Sequence, residues 1–129
     1  MIKKITPVLI VDRIEPLLPL WDALGFARAA EVPHGDALGF VMLTRDGIEV
    51  MYQTFDSVRG DEAKALEGAR AIGASAVFFE VDDLDALKMQ IPDGTEVIAE
   101  SRKTFYGSTE TIIRDAAGNV ITFAQFAAS

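Results

Sequence analysis

Apolar residues along this chain fall into two patterns, continuous or alternating runs that read as strands and 3.6-residue recurrences that read as helices. Residues 5–11 (Ile-Thr-Pro-Val-Leu-Ile-Val) form a nearly unbroken apolar run, which predicts a mostly buried strand. Pro7 is tolerable only near its start or on an edge, because it has no N–H to give to a ladder. Asp12 stands where a helix cap belongs, and Ile14, Leu17, Leu18, Trp21 and Leu24 recur at helical spacing until Gly25 closes the element. Pro16 suits a first turn, whereas Pro19 forfeits a hydrogen bond, so the helix is expected to start irregularly. Strands are predicted over 26–32, 37–44 and 48–54, joined by Pro33-His34-Gly35-Asp36 and Arg45-Asp46-Gly47. A helix over 61–72, capped by Asp61 and ended by Gly73, leads to a strand over 75–81. Asp83 then opens a helix with Leu84, Leu87 and Ile91 inward, stopped by Pro92-Asp93-Gly94. Strands over 95–100, 108–114 and 120–125 complete the chain. Asp115-Ala116-Ala117-Gly118-Asn119 joins the last two, with Asp and Asn to cap locally and Gly to take positive φ.

The second half repeats the order of the first. Leu9-Ile10-Val11-Asp12-Arg13-Ile14 lies over Phe79-Glu80-Val81-Asp82-Asp83-Leu84, and Val50-Met51-Tyr52-Gln53 over Thr122-Phe123-Ala124-Gln125. The expected class is therefore α+β, a single domain over 1–129 made of two βαβββ modules. Module one spans 4–55, a connector helix 56–73 and module two 74–127.

Composition narrows the function. At 129 residues with 50% hydrophobic content and a mean hydropathy of +0.22, the chain can bury one core. No apolar run approaches the roughly 20 residues that span a bilayer, and the N-terminal Met-Ile-Lys-Lys-Ile-Thr-Pro runs straight into a strand, so a cytoplasmic address and no membrane partner are expected. A net charge of −8 and a pI near 4.5 argue against nucleic acid and bias the long-range field toward cationic small molecules. The absence of cysteine removes disulfides, thiol catalysis and thiolate metal sites together.

The C-terminal stretch resembles a known superfamily. Tyr106-Gly107, then Glu110, then Arg114-Asp115-x-x-Gly118-Asn119 and a strand ending in Gln125 look like the C-terminal hairpin of the vicinal-oxygen-chelate superfamily, which includes glyoxalase I, extradiol dioxygenases and bleomycin-resistance proteins. Thr6-Pro7-Val8-Leu9-Ile10-Val11-Asp12 with Leu24-Gly25-Phe26, and Phe79-Glu80-Val81-Asp82-Asp83-Leu84-Asp85-Ala86, resemble its two module starts. The resemblance covers nearly the whole chain, and it implies that each module curls into a half-barrel with a concave cavity. It implies metal ligands (His, Glu or Gln) at four cavity-facing positions, which here hold Thr6, Val50, Ala76 and Thr122. Hydroxyls and methyls do not repay the dehydration of a divalent cation, so no bound metal and no cofactor are expected. Glu49, beside Val50, would replace it only through a one-residue slip of register.

Little other chemistry stands out. His34, the only histidine, falls in a turn, and Ser57, Ser75 and Ser108 have no triad context. Glu110 shares a face with Ile112 and Arg114. The resemblance puts that face on the cavity, where Glu110 is the one weak catalytic candidate, with an ion pair to Arg102 or Arg114 as the alternative. Glu80 takes the same face by the repeat. Val8, Ile10, Val50, Tyr52, Phe78, Ala124 and Phe126 are assigned to the cavity, with Phe105 and Tyr106 overhanging its mouth, a lining suited to small-molecule recognition. The same aromatics would equally serve a dimer interface, since members of the superfamily often pair across a two-fold axis. The expected ligand-binding set is Val8, Val50, Tyr52, Phe78, Tyr106, Glu110, Thr122 and Phe126. The resemblance and the missing ligands together imply a metal-free homodimer of the bleomycin-resistance type that sequesters a hydrophobic or cationic molecule; the alternative is a glyoxalase- or dioxygenase-related lyase or isomerase.

Overall fold

The computed structural model of the chain describes residue 1, residues 3–61 and residues 75–127, and it divides into two compact units, Met1–Ile72 and Gly73–Ser129. In the first, β1 (Val8–Val11) leads through a 3₁₀ turn (Glu15–Leu17) into α1 (Leu18–Ala23), followed by β2 (Ala27–His34), β3 (Ala37–Arg45), β4 (Ile48–Thr54) and α2 (Phe55–Asp61). In the second, β5 (Ala76–Glu80) leads into α3 (Leu84–Gln90), followed by β6 (Glu96–Lys103), β7 (Ser108–Arg114) and β8 (Val120–Phe126). Each unit holds one open four-stranded mixed sheet, ordered β1-β4-β3-β2 and β5-β8-β7-β6. The first strand runs parallel to the last, and the remaining pairs are antiparallel. The parallel pair needs a crossover, and α1 and α3 belong to those crossovers, so the α+β class and the repeated βαβββ order hold.

Local chemistry explains the element ends. Pro7 stays outside β1 and contributes only its carbonyl, which accepts Met51 N–H at 3.0 Å. The irregular helix start is present as a 3₁₀ turn holding Pro16, followed by an α-helix with Pro19 in its first turn. Asp12 does not cap it, because no side chain bonds its first turn. At its other end Gly25 takes φ +82°, with Gly25 N–H on Asp22 O and Phe26 N–H on Trp21 O, both at 3.0 Å, a Schellman stop. Arg45 adds a guanidinium donor to the Leu24 carbonyl. Asp83 caps α3 by accepting Ala86 N–H at 3.0 Å, as its sequence position predicts.

Several element boundaries differ from expectation, with β1 starting at Val8 instead of residue 5 and β6 running on to Lys103 instead of ending at residue 100. β2 continues through Pro33 and His34, so only Gly35 and Asp36 turn. α2 begins at Phe55, where Thr54 Oγ1 accepts Ser57 N–H at 3.2 Å as its cap, and Asp61, expected to be the cap of a connector helix, lies inside α2. Residues 62–73 of that expected connector fall outside the described residues.

The core of the first unit lies between α1 and its sheet. Ile14, Leu17, Trp21 and Leu24 meet Leu9, Val11, Val41, Leu43, Val50 and Tyr52, all buried. The indole N–H of Trp21 donates to the Tyr52 hydroxyl at 3.2 Å, which satisfies both polar tips within the core. A carboxylate ties the β2–β3 hairpin to the 3₁₀ turn: Glu15 Oε2 accepts Leu38 N–H at 2.7 Å, beside the register shift between Val32 and Pro33. That bond is the main reason the Glu15 carboxyl titrates below its ordinary value of 4.5, with Arg13 assisting and burial opposing. A depressed folded-state value means the stabilisation is present above 4.5 and is lost as pH falls through the lowered value. Urea midpoints followed from about pH 6 to about pH 3 should therefore fall on acidification, and more steeply in the wild type than in Glu15→Gln. Equal slopes would show that Glu15 does not hold the hairpin.

Candidate functional site

Side-chain bonds decide which face of each sheet is free to meet a ligand. In the second unit Gln125 Oε1 accepts Leu84 N–H of α3 at 2.8 Å, so Gln125 and its same-face neighbours Phe123 and Ile121 look toward the helix. Their alternates, Phe126, Ala124 and Thr122, look the other way, and register adds Glu110 opposite Ala124, Ile112 opposite Thr122 and Phe78 beside Thr122. The face opposite α3 therefore collects Phe78, Glu110, Thr122 and Phe126, four of the expected ligand-binding residues, together with Ala76 and Glu80.

Glu110 is the anchor of this face. It is 2% exposed, and its Oε2 accepts two hydroxyls, Tyr106 Oη at 2.5 Å and Ser108 Oγ at 3.1 Å. Thr104 Oγ1 lies 2.8 Å from Ser108 Oγ and extends the chain of hydroxyls. Gly107 makes this possible: at φ +93° it reverses the chain between β6 and β7, and Thr104 N–H closes the loop on Ser108 O at 2.9 Å. The bond to Glu110 is the largest cause of the raised Tyr106 pKa, since ionising the phenol would set an anion beside a carboxylate. The ion pair weighed for Glu110 is not formed among the described residues. Arg114 instead pairs with Glu96 at 2.9 Å, and Arg102, opposite Glu110 in register, makes no ion pair with it.

An aromatic band flanks the carboxylate. Phe78 and Phe126 have ring centroids 6.5 Å apart, Phe126 and Tyr106 6.3 Å, and Tyr106 and Phe105 5.1 Å. All four are exposed, from 38% for Phe126 to 98% for Phe105. Buried hydroxyl-bound carboxylate and exposed rings together can receive a cation, through charge on one side and ring quadrupoles on the other.

In the first unit two assignments change. Val50 and Tyr52, placed on the cavity wall by the sequence, are 1% and 0% exposed and look toward α1, where Tyr52 meets Trp21. The residues of β4 on the opposite face are Glu49, Met51 and Gln53, and Val8 and Ile10 of β1 join them through the pairs Val8–Met51 and Ile10–Gln53. Register explains the error. In the structure Tyr52 corresponds to Phe123 and Val50 to Ile121, one residue away from the sequence-based superposition that set Val50 on Thr122. The strand needs no slip to present Glu49, which accepts Thr6 Oγ1 at 3.2 Å and pairs with Lys4.

The donor set still does not suit a divalent cation. Thr6, Val50, Ala76 and Thr122 offer no carboxylate or imidazole, Glu49 next to Val50 already serves Lys4 and Thr6, and no three His, Cys, Asp or Glu side chains gather among the described residues. His34 lies against Gly39 and Gly60, where a Cβ built on either glycine would come within 2.6 and 3.3 Å of it respectively. Sequence reading does not single out Thr104, weighs Ser108 only as a triad serine, and does not foresee their link to Glu110. The signal was the glycine of Tyr106-Gly107, whose positive φ folds Tyr106 back over the strand that follows.

Comparison with known proteins agrees with this architecture. The profile of the Glyoxalase/Bleomycin resistance protein/Dioxygenase superfamily matches residues 6–123. No curated protein matches the chain by sequence. Solved structures similar to it include the lactoylglutathione lyase of Agrobacterium tumefaciens, with 18% identity, TM-score 0.74 and coverage of 95% of this chain and 92% of that one. A glyoxalase/bleomycin resistance protein/dioxygenase family enzyme of Burkholderia phytofirmans PsJN has 14% identity and TM-score 0.73, covering 95% and 97%. A bleomycin resistance determinant encoded on the transposon Tn5 has 14% identity and TM-score 0.66, covering 98% and 100%. At these identities the structures speak for the fold alone. With a family profile spanning residues 6–123 and the paired βαβββ sheets to match, the chain belongs to the Glyoxalase/Bleomycin resistance protein/Dioxygenase superfamily.

Proposed function

We propose that this chain is a metal-free, cytoplasmic, homodimeric small-molecule-binding protein of the bleomycin-resistance type, which sequesters a cationic or hydrophobic aromatic ligand without altering it. The observation that carries this is the buried Glu110 carboxylate, held by hydroxyls, without a cationic partner among the described residues and flanked by exposed Phe78, Tyr106 and Phe126. The aromatic band supplies apolar contact area, and the carboxylate supplies a preference for positive charge that the net charge of −8 reinforces at long range.

Sequestration has a direct test. Thermal-shift screening against basic glycopeptides, bleomycin among them, and flat aromatic cations should give an upshift equivalent to about 2.7 kcal/mol at a hundredfold excess over Kd, with the ligand recovered unchanged by mass spectrometry. Ligand consumed in step with time would instead favour the second reading, a lyase or isomerase. The phenol bonded to Glu110 supports that reading, since a carboxylate and a hydroxyl in contact can exchange a proton with a substrate. No upshift with any cation of the panel would remove the binding proposal.

A further inference from the structure

The second unit holds a further feature where the start of α3 meets the strand ends, next to the loop that holds Glu110. A cleft of about 460 Å³ opens between the start of α3 and the ends of β6, β7 and β8, within the range of small-ligand sites. Its floor is a row of side chains in register across three strand ends: Lys103 of β6 opposite Thr109 of β7, and Thr109 opposite Gln125 of β8. Ser101 adds a hydroxyl on the Lys103 side, and Asp85, in the first turn of α3, lies on the lining. Gln125 spends its carbonyl oxygen on Leu84 N–H, so the end of its amide left for a guest is the donor end.

Charge in this cleft is divided. Lys103 and Asp85 both line it, yet neither forms an ion pair with the other or with any other described residue. An unpaired ammonium surrounded by hydroxyl and amide donors suits a carboxylate, and an unpaired carboxylate in the same cleft suits an ammonium. A plain anion would be repelled by the net charge of −8, whereas a molecule carrying both charges would not. We propose that the cleft binds a small zwitterion of the free α-amino-acid class, its carboxylate on Lys103, Thr109 and the Gln125 amide and its ammonium on Asp85. The cleft borders the Glu110 site, since Phe126 of the aromatic band and Thr104, Gly107 and Ser108 of the loop that holds Glu110 also line it, but the four groups assigned to the zwitterion make no bond to Glu110.

The experiment is a titration of L-serine, L-serinamide and N-acetyl-L-serine into the nitrogen-15-labelled full chain, to about 20 mM, so that millimolar binding is visible. L-serine should shift the amide resonances of Asp85, Thr109 and Gln125, and the two analogues, each lacking one charge, should bind at least about tenfold more weakly. Lys103→Met and Asp85→Asn should each weaken L-serine by about tenfold, while Lys3→Met, in the other unit, should not. Both cleft positions are exposed, so the variants should fold. No shifts at these amides, equal shifts with all three compounds, or undiminished binding in Lys103→Met would each overturn the proposal.

Discussion

Replacing Trp21 with alanine is expected to remove about 3–5 kcal/mol of stability, which is a large fraction of the 5–15 kcal/mol that holds a typical small domain together. The indole is fully buried, meets the Phe26 ring edge-on at a centroid distance of 4.9 Å and the Tyr52 ring at 6.1 Å, and donates its N–H to the Tyr52 hydroxyl. Truncation leaves a cavity that the surrounding core fills only in part and removes the hydrogen bond from the indole to Tyr52. Trp21→Phe keeps most of the apolar volume and should lose distinctly less. Trp21 is the only tryptophan, so urea unfolding of the variants has to be followed by far-ultraviolet circular dichroism. A loss below about 1 kcal/mol in Trp21→Ala would mean that the first unit is not organised around the indole.

The order of elements was legible because turns and helices carry chemistry of their own. Strands 48–54 and 108–114 were bounded from sequence as they stand in the structure, since Asp46-Gly47 and Gly107 demand positive φ next to an alternating run. The Gly25 stop and the Asp83 cap were legible for the same reason. Faces were harder. β4 is apolar on both sides, with Val50 and Tyr52 on one and Met51 on the other, so alternation divides the strand without saying which half meets the helix. Only the Trp21–Tyr52 bond, a contact between residues far apart in sequence, settles it. On β7 alternation groups Glu110 with Ser108 and Ile112, and in the structure that face lies opposite α3. The start of α2 was missed because its cap is Thr54, the last residue of a strand, and an acidic cap farther along looked stronger.

Glu110→Gln should separate the two components of the proposed ligand site. The amide retains an oxygen able to accept from Tyr106 and Ser108 and nearly the shape of the carboxylate, so the thermal midpoint should change little, while the negative charge disappears. Affinity for a cationic aromatic ligand is expected to fall by about 10- to 100-fold, or roughly 1.4–2.7 kcal/mol, and affinity for a neutral aromatic of the same shape to stay level. The phenol supplies a second readout. Tyr106 titrates above its ordinary value of 10.0 chiefly because it donates to Glu110, so its bond stabilises the fold fully below that value and is lost as pH rises through the raised one. Without the carboxylate the ultraviolet titration of Tyr106 should move back toward 10.0. If cationic and neutral ligands lose affinity alike, or neither loses any, Glu110 is a structural acceptor for two hydroxyls and the aromatic band binds without it.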